Sequence, residues 1–286
     1  MNEAVGAMSR REFLKLGALA LASGVVGAGA LGYARQVEPE WVEVTQRTLR
    51  LPRLDPAFDG FRLAHISDIH MDGWMDGQRL NGLVAQVNAL QPDLVAITGD
   101  LVTRSHHDHY AELAEALGGL RAPHGALAVL GNHDYYSHPG KVRQALKTAG
   151  VRELPNQVWT LERGKASLHF AGLDCAFFGY DRLKRVLGAL PQDGATILLA
   201  HEPDTADANA ATGRFAVQLS GHSHGGQVVL PLIGAPILPR LAQKYPFSYY
   251  QVQEMHLLVN RGLGMVHLPI RFNARPEISV YNLEAS

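Results

Sequence analysis

Five short apolar runs in this chain stop at polar clusters, and that punctuation constrains the fold more than any other feature. Residues 61–67 lead into Ser67-Asp68-Ile69-His70, residues 94–98 into Thr98-Gly99-Asp100, and residues 126–130 into Gly131-Asn132-His133-Asp134. Further on, residues 195–200 meet His201-Glu202-Pro203, and residues 215–219 precede Gly221-His222-Ser223-His224-Gly225-Gly226. Apolar runs of this length, bounded by turn formers, predict strands, as do residues 168–172, 227–230, 256–259 and 277–283. Helical periodicity at 78–90, 110–120 and 141–149 falls between the early strands. The alternation predicts an α/β domain. Its second half is richer in strand, which favours a two-sheet β-sandwich flanked by helices over a plain doubly wound sheet.

Polar clusters at the carboxyl ends of strands can converge on one pocket. Their donors are carboxylate, amide and imidazole. The single cysteine, Cys175, excludes an intrachain disulfide and a Cys-based zinc site. Oxygen and nitrogen donors without thiolate suit Mn, Fe or Zn. The candidate ligands are Asp68, His70, Asp100, Asn132, His201, His222 and His224. They exceed the three protein ligands of a catalytic zinc, so two divalent ions are expected. Cations roughly 3.5–4 Å apart need negative charge between them, and Asp100 is the expected bridge.

The N-terminus reads as an address. Ser9-Arg10-Arg11-Glu12-Phe13-Leu14-Lys15 precedes 19 uncharged residues, 16–34, rich in Ala, Gly and Leu. Cations before an apolar stretch mark an export signal, and the paired arginines resemble the twin-arginine consensus. Residues 1–34 are therefore expected to be a twin-arginine signal or a membrane anchor, ahead of one catalytic domain at 38–286. Ala28-Gly29-Ala30 offers a cleavage site, while the same run is long enough to span a bilayer. Positive charge on the leading flank keeps that end in the cytoplasm and sends the domain outward. Lys plus Arg, 26, nearly balances Asp plus Glu, 27, so nucleic acid is not an expected partner.

In that succession, Asp-x-His, Gly-Asp, Gly-Asn-His-Asp, His and Gly-His-x-His resemble the calcineurin-like metallophosphoesterases, from about Phe61 to Gln227. The resemblance implies that Asp68, His70 and His224 bind one ion, that Asn132, His201 and His222 bind the other, and that Asp100 serves both. It implies that His133 contacts phosphoryl oxygens or protonates the leaving group. The run Gly-His-Ser-His-Gly-Gly-Gln, with the leader, resembles a branch of small bacterial exported or membrane-associated phosphoesterases. Asn260-Arg261-Gly262 and Arg271-Phe272-Asn273 resemble that branch's C-terminal segment, which makes Asn260, Arg261 and Arg271 candidate substrate contacts. The superfamily's protein phosphatases read Gly-Asp-x-Val-Asp-Arg-Gly. Here Thr103 replaces the second Asp, which argues against a phosphoprotein substrate. The following Ser105-His106-His107-Asp108-His109 is expected to be a solvated loop.

The implied activity is phosphodiester hydrolysis, with a hydroxide held between the ions attacking phosphorus in line. Small diesters or lipid head groups are the expected substrates. One alternative is a pyrophosphatase acting on UDP-2,3-diacylglucosamine in lipid A synthesis. Another is a catalytically silent metal-binding protein of the same fold, against which stands the presence of every ligand position and of His133. A dinuclear hydrolase acting on carbon would not have this motif order.

Overall fold

The computed structural model describes residues 9–103 and 109–286; the expected loop at 105–109 thus falls, except for His109, outside the described residues. The strands are β1 (Glu43–Leu51), β2 (Arg62–Ile66), β3 (Leu94–Thr98), β4 (Ala126–Val129), β5 (Arg152–Glu153), β6 (Gln157–Arg163), β7 (Ala166–Gly172), β8 (Ala195–Leu199), β9 (Val217–Ser220), β10 (Ser248–Val252), β11 (Met255–Val259) and β12 (Glu277–Ala285). They form two six-stranded sheets, ordered β1-β12-β2-β3-β4-β5 and β10-β11-β9-β8-β7-β6. The α-helices are α1 (Arg10–Gln36), α2 (Gly77–Ala89), α3 (Tyr110–Gly118), α4 (Asn132–Tyr136), α5 (Pro139–Thr148), α6 (Leu183–Ala189) and α7 (Ala206–Ala210).

Strand alternation assigns each apolar side chain to a layer. On β3, Leu94 and Ala96 join the core between the sheets, while Val95 and Ile97 join the core beneath α2, α3 and α5. On β8, Ala195, Ile197 and Leu199 face the inter-sheet core and Leu198 joins the cluster that includes Val186 of α6 and Ala206 of α7. β3 and β8 are covered on both faces, and their residues are apolar apart from the buried Thr98 and Thr196. The expected two-sheet sandwich with outer helices is the observed architecture. β2, β3 and β4 are mutually parallel, as are β7, β8 and β9, so within each sheet their carboxyl ends emerge on one side.

Residues 227–230, read as a strand, are instead a loop joined by an isolated bridge between Val228 and Phe272. Pro231 follows, and a tight turn closes through paired Leu230–Gly234 backbone hydrogen bonds of 2.9 Å each. Gln227, Val228 and Val229 are half-buried and Leu230 is exposed, without the buried ladder that the apolar composition predicts.

α1 starts in a reciprocal cap: Ser9 Oγ accepts from the Glu12 backbone N–H at 3.3 Å, and the Glu12 carboxylate accepts from the Ser9 N–H at 3.0 Å. The helix is long and apolar enough to cross a membrane, and Leu19, Leu21, Val25 and Val26 stand exposed on it. It runs past the expected boundary at 34 and docks at its end. Ala34 is buried and its carbonyl accepts from the Arg271 N–H at 2.8 Å, Tyr33 meets Phe272 edge-on at 6.4 Å, and the buried Glu38 accepts from the Ala274 N–H at 2.6 Å.

Candidate metal centre

The polar clusters converge where the two sheets' carboxyl ends meet. Asp68 follows β2, Asp100 follows β3, Asn132 opens α4 after β4, His201 follows β8, and His222 and His224 follow β9. Asp68, His70, Asp100, Asn132, His201, His222 and His224 are all buried, at most 4% exposed. Asp68, His70, Asp100, His222 and His224 have positive φ, between 48° and 68°. Non-glycine residues in that region cost of order 1 kcal/mol each, so the rim stores strain where the side chains must turn inward. Two glycines make room: a Cβ at Gly131 would collide with Asp100 Oδ1 and His201 Nε2, and one at Gly221 with Ser67 Oγ and Asp68 Oδ2.

Ligand-bearing atoms form two groups, Asp68 with His70 and His224, and Asp100 with His201 and His222, each within 4.8 Å of one another. In the first, His70 Nε2 lies 3.1 Å from His224 Nε2, and His224 Nε2 lies 3.4 Å from Asp68 Oδ1. Asp100 Oδ2 stands between the groups, 3.6 Å from His70 Nε2 and 3.2 Å from His201 Nε2. Its other oxygen accepts the His133 backbone N–H at 2.8 Å.

Second partners orient the rings. His201 Nδ1 donates to the Thr98 carbonyl at 2.6 Å and His222 Nε2 to the Arg240 carbonyl at 2.8 Å. A carbonyl only accepts, so these bonds place the proton and leave His201 Nε2 and His222 Nδ1 as lone-pair nitrogens in the neutral rings. His70 Nδ1 pairs with Thr103 Oγ1 at 2.8 Å. Burial pushes His70 and His224 well below the usual imidazole range and also lowers His222. Burial pushes Asp68 up to about 7, with His201 opposing it and Asp100 adding to it. Asp100 and His201 behave oppositely: burial disfavours both charges, yet their attraction holds the carboxyl well below, and the imidazole well above, their ordinary values.

The residues fit two cations. Asn132 Oδ1 and His201 Nε2 are buried without an aligned hydrogen bond, and neutral imidazole nitrogens 3.1 Å apart cannot both aim lone pairs at one another. A proton or a cation has to stand among these atoms. The donor set of carboxylates, one amide oxygen and four imidazoles suits borderline divalent ions.

The supports could not be read from the sequence, because two of them are backbone carbonyls. Asp134 is a side-chain example: Oδ1 accepts from Leu101 and Val102 and Oδ2 from Gly131, bracing the loop behind Asp100. Burial, with Asp100 adding, pushes its carboxyl up to about 8. Glu202 accepts from Cys175 Sγ and from the Ala176 and Phe177 backbone N–H groups, which ties the residue after His201 to the neighbouring loop.

His133 is half-buried at the edge of this cluster, its ring edge-on to His70 at 4.8 Å and to Tyr136 at 5.8 Å. The three expected substrate contacts are placed differently. Asn260 bonds His65 O, Ser279 Oγ and the Gly262 N–H; Arg261 pairs with Glu277 and Glu43; Arg271 is fully buried and donates to carbonyls of Ala274, Arg261, Gly262 and Gly264. Their hydrogen bonds brace the 260–274 segment internally and tie it to β1, β2 and β12, while Arg271 Nε is buried without a hydrogen-bond partner. That segment supports Asp68, whose carbonyl accepts from Leu263 and Gly264. Nothing in the residue types distinguishes a framework arginine from one that binds a ligand.

The chain is 38% identical over 287 residues to YkuE of Bacillus subtilis strain 168, described as an uncharacterised metallophosphoesterase, covering 98% of this chain and 99% of that one. It is 26% identical over 280 residues to the phosphodiesterase YaeI of Escherichia coli K12, covering 96% and 99%. It is 32% identical over 254 residues to a transmembrane protein with metallophosphoesterase domain from Danio rerio, covering 84% of this chain and 56% of that protein. The calcineurin-like phosphoesterase profile matches residues 61–226, a span that contains both groups of ligand-bearing side chains, and the chain belongs to that family.

Proposed function

We propose that this metallophosphoesterase is a phosphodiesterase with two divalent ions, Mn, Fe or Zn, anchored by α1 on the outer face of the cytoplasmic membrane. The observation that carries the reading is Asp100 Oδ2, within 3.6 Å of an imidazole nitrogen of each ligand group. Asp68, His70 and His224 would hold one ion, Asn132, His201 and His222 the other, and Asp100 both. Bound ions lower the pKa of water and offset charge developing on phosphoryl oxygens. The chain's own work is placement. Thr98 O and Arg240 O keep the second group's rings in one tautomer, and the Thr103 hydroxyl holds the orientation of the His70 ring. His133, tied through its backbone to Asp100, would deliver a proton to the leaving oxygen.

The relative named as a phosphodiesterase supports a diester over a monoester. Arg10, Arg11 and Lys15 ahead of the apolar run support a cytoplasmic N-terminus, an outward domain and the twin-arginine export machinery as a partner. That topology separates the domain from a cytosolic UDP-linked lipid, so hydrolysis of UDP-2,3-diacylglucosamine is the lesser reading. The test compares kcat/KM for a bis-aryl phosphate, an aryl phosphate and the UDP-linked lipid on metal-reconstituted protein. Preference for the bis-aryl diester is expected; preference for the monoester contradicts the reading, and preference for the lipid moves the activity to lipid A synthesis. Fractionation of the Arg10→Lys, Arg11→Lys double variant tests the address, with retention in the cytoplasm expected.

A further inference from the structure

Among the described residues after α1, the large apolar side chains more than half exposed are Leu232, Ile233, Ile237 and Leu268, and Leu232 is fully exposed. They gather at one place. The first three lie in residues 228–239, Val-Val-Leu-Pro-Leu-Ile-Gly-Ala-Pro-Ile-Leu-Pro, a stretch without a polar side chain. Gln227 joins this loop to Leu268: its amide donates to the carbonyls of Val266 and Leu268 at 3.0 and 3.1 Å and accepts from the Val266 N–H at 2.9 Å.

The loop is also joined to the end of α1. Val229 N–H donates to the Phe272 carbonyl at 2.8 Å, Phe272 packs on Tyr33, and the Arg271 N–H bonds Ala34. Trp41, half exposed under the Arg275 guanidinium at 3.8 Å, stands just beyond the helix, the position at which aromatic side chains occupy a membrane interface. Both loop ends reach the metal centre. Gln227 N–H donates to the His224 carbonyl at 3.0 Å, and Arg240 supplies the carbonyl that orients His222.

An uncharged, exposed tip bonded to the exit of an apolar helix of membrane-spanning length meets the plane where that helix leaves the bilayer. We propose that the tip formed by residues 231–238 with Leu268 enters the bilayer that α1 crosses, so that the centre takes its phosphodiester from a membrane amphiphile at the head-group layer. This rests on the phosphodiesterase and anchor readings above. The surface is assigned to lipid, not to a second copy of the chain, because it continues into the helix exit.

The test uses the full chain in vesicles of phosphatidylethanolamine and phosphatidylglycerol, with an environment-sensitive dye on Leu232→Cys or Ile237→Cys. Cys175 is buried and leaves the label to the introduced thiol. Lys165→Cys is the control, exposed in the β6–β7 turn at the rim opposite the metal centre. Spin-labelled lipid should quench the dye at 232 and 237 and not at 165. Equal or absent quenching overturns the proposal, as does a blue shift without lipid quenching, the signature of a protein partner such as a second copy.

A Leu232→Ser, Ile233→Ser, Ile237→Ser variant should keep turnover of a soluble bis-aryl diester within about twofold, yet lose about tenfold or more on a fluorogenic phosphodiester lipid, as lost apolar insertion would produce. Equal loss on both substrates would make the loop a support of the centre and overturn the proposal. If the wild type hydrolyses neither diester, the phosphodiesterase reading fails and the quenching result still decides the docking.

Discussion

The two ligand groups are built differently around one carboxylate. In the group of Asp100, His201 and His222, backbone carbonyls hold both rings, and they keep their positions as long as β3 and the end of the 228–240 loop do. In the group of Asp68, His70 and His224, one ring leans on a hydroxyl, and His224 Nδ1 is buried with no hydrogen-bond partner. The first arrangement is set by the fold before any ion arrives. The second brings two ring nitrogens to 3.1 Å and needs a cation or proton to hold them there. Affinity should therefore be divided unequally: a chelator is expected to strip the Asp68 group first.

Asp100→Asn gives the largest expected effect, because it removes the carboxylate common to both groups. Turnover should fall by more than the roughly 10²–10³-fold cost of deleting one electrostatic stabiliser, and elemental analysis should find both ions lost. Near-normal activity with full metal content would break the assignment of the shared ligand. His133→Ala is expected to keep both ions and lose roughly 10²–10⁴-fold in kcat, checked by turnover alongside metal content. Loss of an ion in that variant would make His133 a ligand instead. Thr103→Val sharpens the comparison directly, since it frees His70 and leaves the carbonyl-held rings alone. Isothermal titration should show one ion weakened by roughly 10–100-fold and the other unchanged; equal weakening would erase the distinction between the groups.

The smallest expected effect concerns His65, a buried imidazole that faces no carboxylate. It sits on β2 with Nε2 2.8 Å from Thr98 Oγ1, and burial pushes its pKa down to about 3. The neutral ring is therefore a stabilising element above its unfolded value near 6.5, and that contribution is lost as pH falls from 6.5 towards 3. At pH 5 the loss is about 2 kcal/mol relative to pH 7. His65→Asn should flatten the pH dependence of urea unfolding across that window, and an unchanged slope would show that this ring does not set it.

Legibility in the sequence followed burial. β3, four apolar residues and the buried Thr98, is covered on both faces, and its expected span is its observed one. β1, with the sequence Glu-Val-Thr-Gln-Arg-Thr-Leu-Arg-Leu, is an edge strand with much of one face in water and carries no such signal. β6 and β10 also lie at sheet edges, and two-residue β5 is too short to read. Residues 227–230 erred the other way: apolar and β-branched, they read as a strand, while Pro231 and the Leu230–Gly234 turn make them the base of an exposed loop. The candidate ligands were legible because donor types recur in a fixed order, whereas the carbonyls of Thr98 and Arg240 are available at any residue and leave no mark in sequence. Asn260, Arg261 and Arg271 show the reverse problem, polar residues near a site that bond protein groups around them: Asn260 the Gly262 N–H, Arg261 the Glu277 and Glu43 carboxylates, and Arg271 backbone carbonyls.

Two ions sharing Asp100 is the central proposal, and a count of bound ions per chain decides it. Protein purified from manganese-supplemented cells, with ions quantified per chain by elemental mass spectrometry as diester turnover is followed during chelation, should begin at two ions. Activity should disappear as the first ion leaves the Asp68 group, with the second retained. Full activity at one ion per chain, or loss of both ions in a single step with no intermediate at one, would contradict the proposed unequal dinuclear centre.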